Sequence, residues 1–123
     1  LNVNVLGCIL TIRNLSKHLN TNAKIIFISS ILGVQEHSGS NATIYRASKA
    51  ALNNVMVSIS EEFKSKKITV SSFHPGWVRT DMGGPNATLS TKQSASTLIK
   101  SFENLTFRNT GKFINYDGSL INF

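Results

Sequence analysis

The chain has a single cysteine, Cys8, among its 123 residues. One cysteine excludes an internal disulfide, and such usage is typical of a reducing compartment. The sequence also lacks an apolar run long enough to span a bilayer, and no basic segment precedes the apolar stretch from Leu1 to Ile12. We therefore expect no membrane span and no signal peptide, and we expect the protein to be cytoplasmic.

Four Asn-x-Ser/Thr triplets leave a secretory alternative open, because such triplets are glycosylation acceptors in secreted proteins. They begin at Asn14, Asn41, Asn86 and Asn104. We favour chance occurrence in an asparagine-rich chain, since Asn14 lies in a helical pattern and a glycan on Asn41 would crowd Tyr45.

Acidic residues are scarce: 6 against 13 lysines and arginines, which gives a net charge of +7. A nucleic-acid interface would gather the basic residues on one face or mix them with aromatic side chains. Here they are scattered, apart from a short cluster from Lys64 to Lys67 at a predicted helix end, where cations complement the helix dipole. We therefore expect no nucleic-acid partner. We also expect no metal site.

The apolar pattern of the first half predicts two helices around one strand. A helix from Asn2 to about Leu19 has apolar residues on more than one face, so we expect it to be buried on two sides. The continuous apolar block within Lys24 to Ser29 predicts a central strand covered on both faces. After a polar loop, apolar residues at helical spacing predict a long helix from about Thr43 to Lys64.

The second half continues the alternation. It predicts a strand from Ile68 to Phe73, a helix from about Thr91 to Asn104, and a strand from Gly111 to Tyr116 before a turn at Asp117-Gly118. Helices and strands in alternation indicate an α/β fold, a parallel sheet with helices on both faces. Because the chain starts with Leu1 inside a helical pattern, we expect it to begin partway through a larger domain.

Tyr45 and Lys49 are four residues apart at the start of the long predicted helix. Four helical residues rise about 6 Å and return to nearly the same face, so the phenol and the ammonium become neighbours. A nearby ammonium favours the phenolate form of a tyrosine, which makes the phenol a better acid near neutral pH. The spacing alone is common in helices, but its position after a buried strand and a polar loop makes this a candidate catalytic pair.

Polar residues follow both of the first two predicted strands. Ser29 and Ser30 end the first strand, and ligands of open α/β sheets bind at the carboxyl ends of strands. A serine hydroxyl there can hydrogen-bond a substrate oxygen, although both serines can equally cap a turn. After the second strand, Pro75 and Gly76 let the backbone approach a flat ligand closely, and Thr80 offers a hydroxyl.

Two further residues of that loop have structural alternatives. His74 is a candidate base, but a histidine at a strand end is more often structural. Trp77 is more often a packing residue than a stacking platform.

These residues, taken with their spacing, resemble the short-chain dehydrogenase/reductase family. The resemblance spans nearly the whole chain and, within that family, is strongest to C-factor and sniffer-type carbonyl reductases. It lies in the motifs Asn4-Val5-Leu6-Gly7, Ile28-Ser29-Ser30-Ile31-Leu32-Gly33, Tyr45-Arg46-Ala47-Ser48-Lys49, His74 through Gly84, and Gly111 through Gly118.

The resemblance implies roles for four catalytic residues. Asn4 would hold a water that links the lysine to solvent, and Ser30 would orient the substrate oxygen. Tyr45 would exchange the proton with that oxygen, while Lys49 would assist the tyrosine and bind the nicotinamide ribose. Asn4, Tyr45 and Lys49 would thus also contact the cofactor.

The cofactor implied by the resemblance is NADP, or else NAD. Pro75, Gly76 and Val78 would border the nicotinamide, and Thr80 would lie near its carboxamide or the phosphates. The family's glycine-rich turn after its first strand is absent, so the determinants of NAD or NADP are absent too. We therefore expect residues 1–123 to be the C-terminal, catalytic part of one Rossmann-fold domain whose N-terminal strands are missing.

The function expected is oxidoreduction between a small-molecule carbonyl and its alcohol, by hydride transfer with a tyrosine acid. Two alternatives remain: a non-catalytic signalling or binding protein on the same fold, and an inactive fragment. The resemblance also implies a homodimer or homotetramer, whose face Leu6, Leu10, Met56 and Ile59 could form, although a missing half of the domain could equally cover them.

Overall fold

The computed structural model of the chain describes residues 1–37 and 39–123. Its first segment is helical but irregular. A π-helical turn, Asn2–Gly7, leads into the α-helix α1, Cys8–Leu15, and a 3₁₀ turn, Ser16–His18, ends the segment. The predicted helix from Asn2 to Leu19 is therefore confirmed in extent, with a wider first turn than the pattern indicated.

The described residues form one four-stranded sheet with the strand order β1-β2-β3-β4. These strands are β1, Lys24–Ile28; β2, Thr69–His74; β3, Phe113–Asn115; and β4, Leu120–Ile121. The pairs β1–β2 and β2–β3 are parallel, as predicted, whereas β4 pairs antiparallel with β3. Strand β4 was not predicted from the sequence.

Two long helices cover the sheet. Helix α2, Thr43–Glu62, follows β1, and α3, Thr91–Asn104, follows β2. Ser90 caps α3: its side chain accepts from the Gln93 backbone, and the Gln93 side chain accepts from the Ser90 backbone. This reciprocal capping box explains why the start of α3 is readable from the sequence.

The buried residues form clusters on both sides of the sheet. One cluster lies between α2 and the sheet and contains Phe27, Leu52, Met56, Ile59, Phe63, Ile68 and Val70. The other lies toward α3, where Phe73 meets the edge of the Phe102 ring at 4.9 Å between centroids. The expected α/β arrangement with helices on both faces is confirmed.

Two expectations about apolar residues are wrong. None of the residues from Asn2 to Leu15 is buried; Cys8 and Ile12 pack against the α2 cluster, and the helix is covered on one side only. Met56 and Ile59, expected at a dimer face, are 0% and 6% exposed in the core of this chain and cannot contact a partner. Leu6 and Leu10 do remain exposed.

None of the helices in the described part of the chain has both the length and the hydrophobicity that crossing a bilayer requires.

Candidate functional site

The Tyr45–Lys49 pair lies in the first turns of α2. Both side chains are half-buried, and the Lys49 ammonium is 5.7 Å from the centroid of the Tyr45 ring. The phenol and the ammonium are therefore neighbours, as predicted. Lys49 Nζ also donates to the Ile28 carbonyl at 2.9 Å, so it bridges α2 and the end of β1.

The Lys49 ammonium is partly withdrawn from water. Burial lowers its pKa below the ordinary value of 10.5, and the electrostatic effect of the neighbouring Cys8 partly offsets that change. Because burial disfavours the charged form, the ammonium depends on its contacts with the ring and with the carbonyl.

Ser30 is buried, at 6% exposure, where β1 ends. Its Oγ accepts a hydrogen bond of 3.1 Å from the Leu32 amide and caps the 3₁₀ turn Ile31–Gly33. A hydroxyl that accepts from the backbone keeps its own proton available for a second partner. Ser30 thus combines the two alternatives of the sequence analysis, because it caps a turn and can still donate to a ligand.

The 3₁₀ turn after Ser30 presses against the backbone of α2. A Cβ added to Gly33 would lie 2.8 Å from both the Ala50 nitrogen and the Lys49 carbonyl carbon. Backbone atoms cannot move away as a flexible side chain can, so only glycine permits this approach. Gly33 holds the Ser30 turn beside the Lys49 turn, a role that its place in a polar loop did not indicate.

A cleft of about 380 Å³ opens at the carboxyl ends of β1 and β2. It brings together residues that are distant in sequence. The predicted site residues that line it are Ser30, Tyr45, Pro75, Gly76, Val78 and Thr80.

Asn4 and Lys49 line a different cavity, of about 850 Å³, between the first helical segment and β1. Asn4 Nδ2 donates to Ser48 Oγ at 3.1 Å, and Ser48 Oγ donates to the Tyr45 carbonyl at 2.7 Å. The side chain of Asn4 is thereby tied to the turn that carries Tyr45. The four predicted catalytic residues therefore line two cavities, and Lys49 beside the Tyr45 ring connects them.

The loop after β2 is held rigidly. Gly76 has a φ of +85°, and an added Cβ would lie 2.4 Å from the Leu89 side chain. Ser94 on α3 donates to the Pro75 carbonyl at 2.7 Å, and Val78 forms a β-bridge with Leu89. The close backbone approach expected of Pro75-Gly76 thus has a conformation that favours glycine.

Trp77 and Thr80 have internal roles in this loop. Trp77 is 53% exposed, so its interpretation as a packing residue is wrong, and its indole nitrogen donates to the Gly83 carbonyl at 2.8 Å. Thr80 Oγ1 accepts from the Gly83 amide at 3.0 Å. Both contacts close the turn from Trp77 to Gly83.

His74 is the last residue of β2, and its Nδ1 accepts a hydrogen bond of 3.2 Å from the Ile31 amide. Burial, with a smaller contribution from His37, lowers the pKa of His74 from 6.5 to about 4. A ring with this pKa is neutral at pH 7 and is a weak base, which supports the structural interpretation of His74.

Arg46 is a residue that the sequence analysis did not single out. Its guanidinium donates to the His37 carbonyl, to the Asn41 carbonyl at 2.8 Å and to Asn41 Oδ1 at 2.9 Å. It thereby ties the loop before α2 to the helix itself. No local signal marks this role, because the contacts depend on how the loop folds back.

A comparison with protein-family models shows to which family the chain belongs. The model described as short chain dehydrogenase matches residues 1–90. The chain belongs to the short-chain dehydrogenase family.

Several curated proteins are similar in sequence to this chain. C-signal of Myxococcus xanthus is 34% identical over 97 residues, which cover 78% of this chain and 58% of C-signal. An uncharacterized oxidoreductase of Saccharomyces cerevisiae is 37% identical, over 94% of this chain and 52% of its own length. The chain thus spans about half the length of the curated relatives it matches.

Solved structures agree with the described architecture. Carbonyl reductase Sniffer of Drosophila melanogaster superposes with a TM-score of 0.89 at 31% identity, covering 99% of this chain and 55% of Sniffer. A carbonyl reductase from Pseudomonas aeruginosa in complex with NADP has a TM-score of 0.85 at 31% identity, covering 99% of this chain and 54% of that protein. The fold is therefore the Rossmann-like α/β fold of these reductases, over about half of their length.

Proposed function

We propose that the protein containing this chain reduces a carbonyl compound to an alcohol, and oxidises the alcohol in reverse, with a nicotinamide cofactor. One observation carries the proposal. Ser30 and Tyr45 line the same cleft at the carboxyl ends of β1 and β2, and the Lys49 ammonium lies 5.7 Å from the Tyr45 ring. A hydroxyl, a phenol and a cation in that arrangement suit proton exchange with a substrate oxygen.

The residues of the cleft fit a nicotinamide cofactor. The backbone at Gly76 lines the cleft in a conformation that favours glycine, and it is fixed by the bond from Ser94 to the Pro75 carbonyl. We propose that Pro75, Gly76, Val78 and Thr80 border the nicotinamide half, with Asn4, Tyr45 and Lys49 on the side of α2. When bound, the cofactor supplies or accepts the hydride.

Each catalytic residue has a distinct task in this proposal. The Ser30 hydroxyl donates a hydrogen bond to the substrate carbonyl oxygen, and the Tyr45 phenol gives that oxygen its proton as the alcohol forms. Lys49 stabilises the phenolate that remains. Asn4 holds a water that connects Lys49 to solvent, a role supported by the cavity that both residues line.

NADPH is the cofactor we propose first. Carbonyl reductases from chicken fatty liver and from Pseudomonas aeruginosa, 33% and 31% identical to this chain, were solved with NADPH and NADP respectively. We further propose that residues 1–123 are the catalytic part of one Rossmann-fold domain, and that the Ser30 to Thr43 loop and the Asp81 to Ser90 segment select the substrate. The ratio of kcat/KM with NADPH to that with NADH tests the cofactor choice.

The test of the reaction is Tyr45→Phe in the full-length protein, assayed by NADPH oxidation with a panel of aldehydes and ketones. Loss of the phenolic proton should lower kcat by about 100-fold or more, while NADPH still binds. Tyr116→Phe is the matched control, because it removes a phenol that does not line the cleft. Unchanged carbonyl reduction by Tyr45→Phe would show that the tyrosine mechanism is wrong.

A non-catalytic signalling protein is the second candidate, favoured by the 34% identity to C-signal. A binding protein needs neither the phenol nor the ammonium in the cleft. This non-catalytic alternative predicts that the full-length wild type reduces no carbonyl compound of the panel. It also predicts that Tyr45→Phe retains the biological response. Measurable NADPH-dependent reduction by the wild type would exclude it.

A further inference from the structure

The strands β1 and β2 separate just beyond Phe73, and a side chain continues their pairing. The Ser29 amide donates to the Phe73 carbonyl at 2.8 Å, which is the last backbone bond between them at this end. Two residues later, the Ile31 amide donates to His74 Nδ1 at 3.2 Å. The imidazole nitrogen thus takes the place of the carbonyl that the next backbone bond would have used.

Ser30 lies between these two anchored amides. The Ser29 amide, on the N-terminal side, is bonded to the Phe73 carbonyl, and the Ile31 amide, on the C-terminal side, is bonded to His74. Its own Oγ accepts from the Leu32 amide at 3.1 Å. These three hydrogen bonds therefore fix both the backbone position of Ser30 and the direction of its side chain. The Ser30 hydroxyl proton is left available to donate to a ligand.

We propose that His74 is a positioning residue that holds the Ser30 hydroxyl in the geometry needed for carbonyl reduction. The inference rests on the proposed function and assigns to His74 a part of the same site. The Ile31 amide links directly to the Ser30 carbonyl carbon, so a shift of this peptide moves the serine. A displacement of about 1 Å at such a residue can lower a rate by about 100-fold.

The protonation state of His74 suits this role. Nδ1 accepts a hydrogen bond only when it carries no proton, so the neutral ring must hold its proton on Nε2. Burial and the nearby His37 lower the pKa of His74 to about 4, which keeps Nδ1 free as an acceptor at neutral pH. The other titratable group that lines the cleft with His74 is Tyr45.

A pair of amide variants separates the role of Nδ1 from that of polarity at this site. In His74→Asn the side-chain oxygen is bonded to Cγ, as Nδ1 is, so it can accept from the Ile31 amide. In His74→Gln the amide is one carbon farther out and misses that position. His74→Leu removes the acceptor and retains an apolar side chain.

The experiment measures two quantities in the full-length wild type and in each variant. The first is hydrogen exchange of the Ile31 amide, and the second is kcat and KM for NADPH-dependent carbonyl reduction. We expect His74→Asn to keep the amide protected and kcat within about 3-fold of wild type. We expect His74→Gln and His74→Leu to expose the amide and to lose about 10- to 100-fold in kcat, with KM for NADPH nearly unchanged.

The outcomes are distinguishable. Equal exchange of the Ile31 amide in His74→Asn and His74→Gln overturns the positioning role, and so does an unchanged kcat when the amide becomes exposed. If His74→Leu does not fold, the comparison of His74→Asn with His74→Gln still tests the positioning role. Absence of carbonyl reduction by the wild type overturns the proposed function, whereas the exchange comparison tests the His74 contact independently of it.

Discussion

Lys49 connects the parts of the site at the scale of single residues. Its ammonium is close to the Tyr45 ring and donates to the Ile28 carbonyl, and it lines the cavity that Asn4 also lines. Each contact compensates for part of the hydration that burial removes. These contacts therefore oppose the desolvation that lowers the pKa of Lys49.

Lys49→Met tests this charge in the full-length protein. Without the ammonium the phenolate is no longer stabilised, so kcat for carbonyl reduction should fall by about 100-fold or more. The melting temperature should change little, because the substitution retains the length of the side chain. Lys66→Met is the control. The Lys66 ammonium lies at a similar 5.8 Å from the Phe63 ring, but Lys66 does not line the cleft. Equal effects of the two substitutions on kcat would contradict the assignment.

The four catalytic candidates could be named from the sequence, but their contacts could not. The spacing of Tyr45 and Lys49 determines that they share a helix face, and this local rule was sufficient. The bond from Ile31 to His74, the Gly33 contact and the Arg46 contacts join segments that are not neighbours in any helix or strand pattern. Such contacts depend on the packed loop, which no periodicity describes.

Helix α3 organises the loop after β2 at the scale of elements. Its residue Ser94 is 5% exposed and donates to the Pro75 carbonyl at 2.7 Å. At its other end, the Lys24 ammonium donates to the Phe102 carbonyl at 2.7 Å. A cation at a helix C-terminus complements the dipole. One helix is thus fixed to the loop after β2 at its start and to β1 at its end.

Ser94→Ala should loosen the loop after β2. The Pro75 carbonyl loses a buried donor, which should cost about 1 kcal/mol in the free energy of unfolding. The freed loop should raise KM for NADPH several-fold while kcat changes less. Urea unfolding and steady-state kinetics of the full-length protein measure both effects. Ser96→Ala, on the exposed face of the same helix, serves as the control, and an equal rise in KM there would contradict the proposed link.

The helices and the parallel strands were predictable because each has a local signal. The predicted bounds of α3 match the structure, and those of β1 and α2 differ only by a residue or two. Strand β4 was missed because it has only two residues, Leu120–Ile121, and exists through its antiparallel pairing with β3. A strand that short has no periodicity of its own, although its turn at Asp117-Gly118 was recognised.

The pH dependence of stability belongs to the whole molecule. The pKa of His74 is lowered from 6.5 to about 4 in the folded state, so the unfolded chain binds more protons between these values. Stability should therefore fall as pH decreases through this window and should be unaffected by His74 above it. Allowing for partial solvation of the ring, the loss is on the order of 1–2 kcal/mol.

Urea unfolding of the full-length protein between pH 7 and pH 4 measures this effect. His74→Asn should reduce the slope of the free energy of unfolding against pH. The same slope in His74→Asn and in the wild type would mean that another group is responsible.

The sheet has an unprotected side. Within residues 1–37 and 39–123, β1 pairs only with β2, and the large cavity lies between β1 and the first helical segment. An open strand edge with apolar surroundings promotes association between chains. Expressed alone, residues 1–123 should therefore self-associate and show no carbonyl reductase activity. Light scattering after size exclusion measures association, and a cooperative melt of a monomer that binds NADPH would contradict the expectation.

The bond from Lys49 to Ile28 has a consequence for that edge. Successive residues of a strand direct their amides and carbonyls to alternate sides, and Ser29 bonds to β2, so the Ile28 carbonyl points away from β2. Lys49 therefore occupies the last acceptor on the open side of β1. A strand joining there must end one acceptor early or displace the ammonium. Lys49 thereby limits how far a strand paired with this edge of β1 can extend.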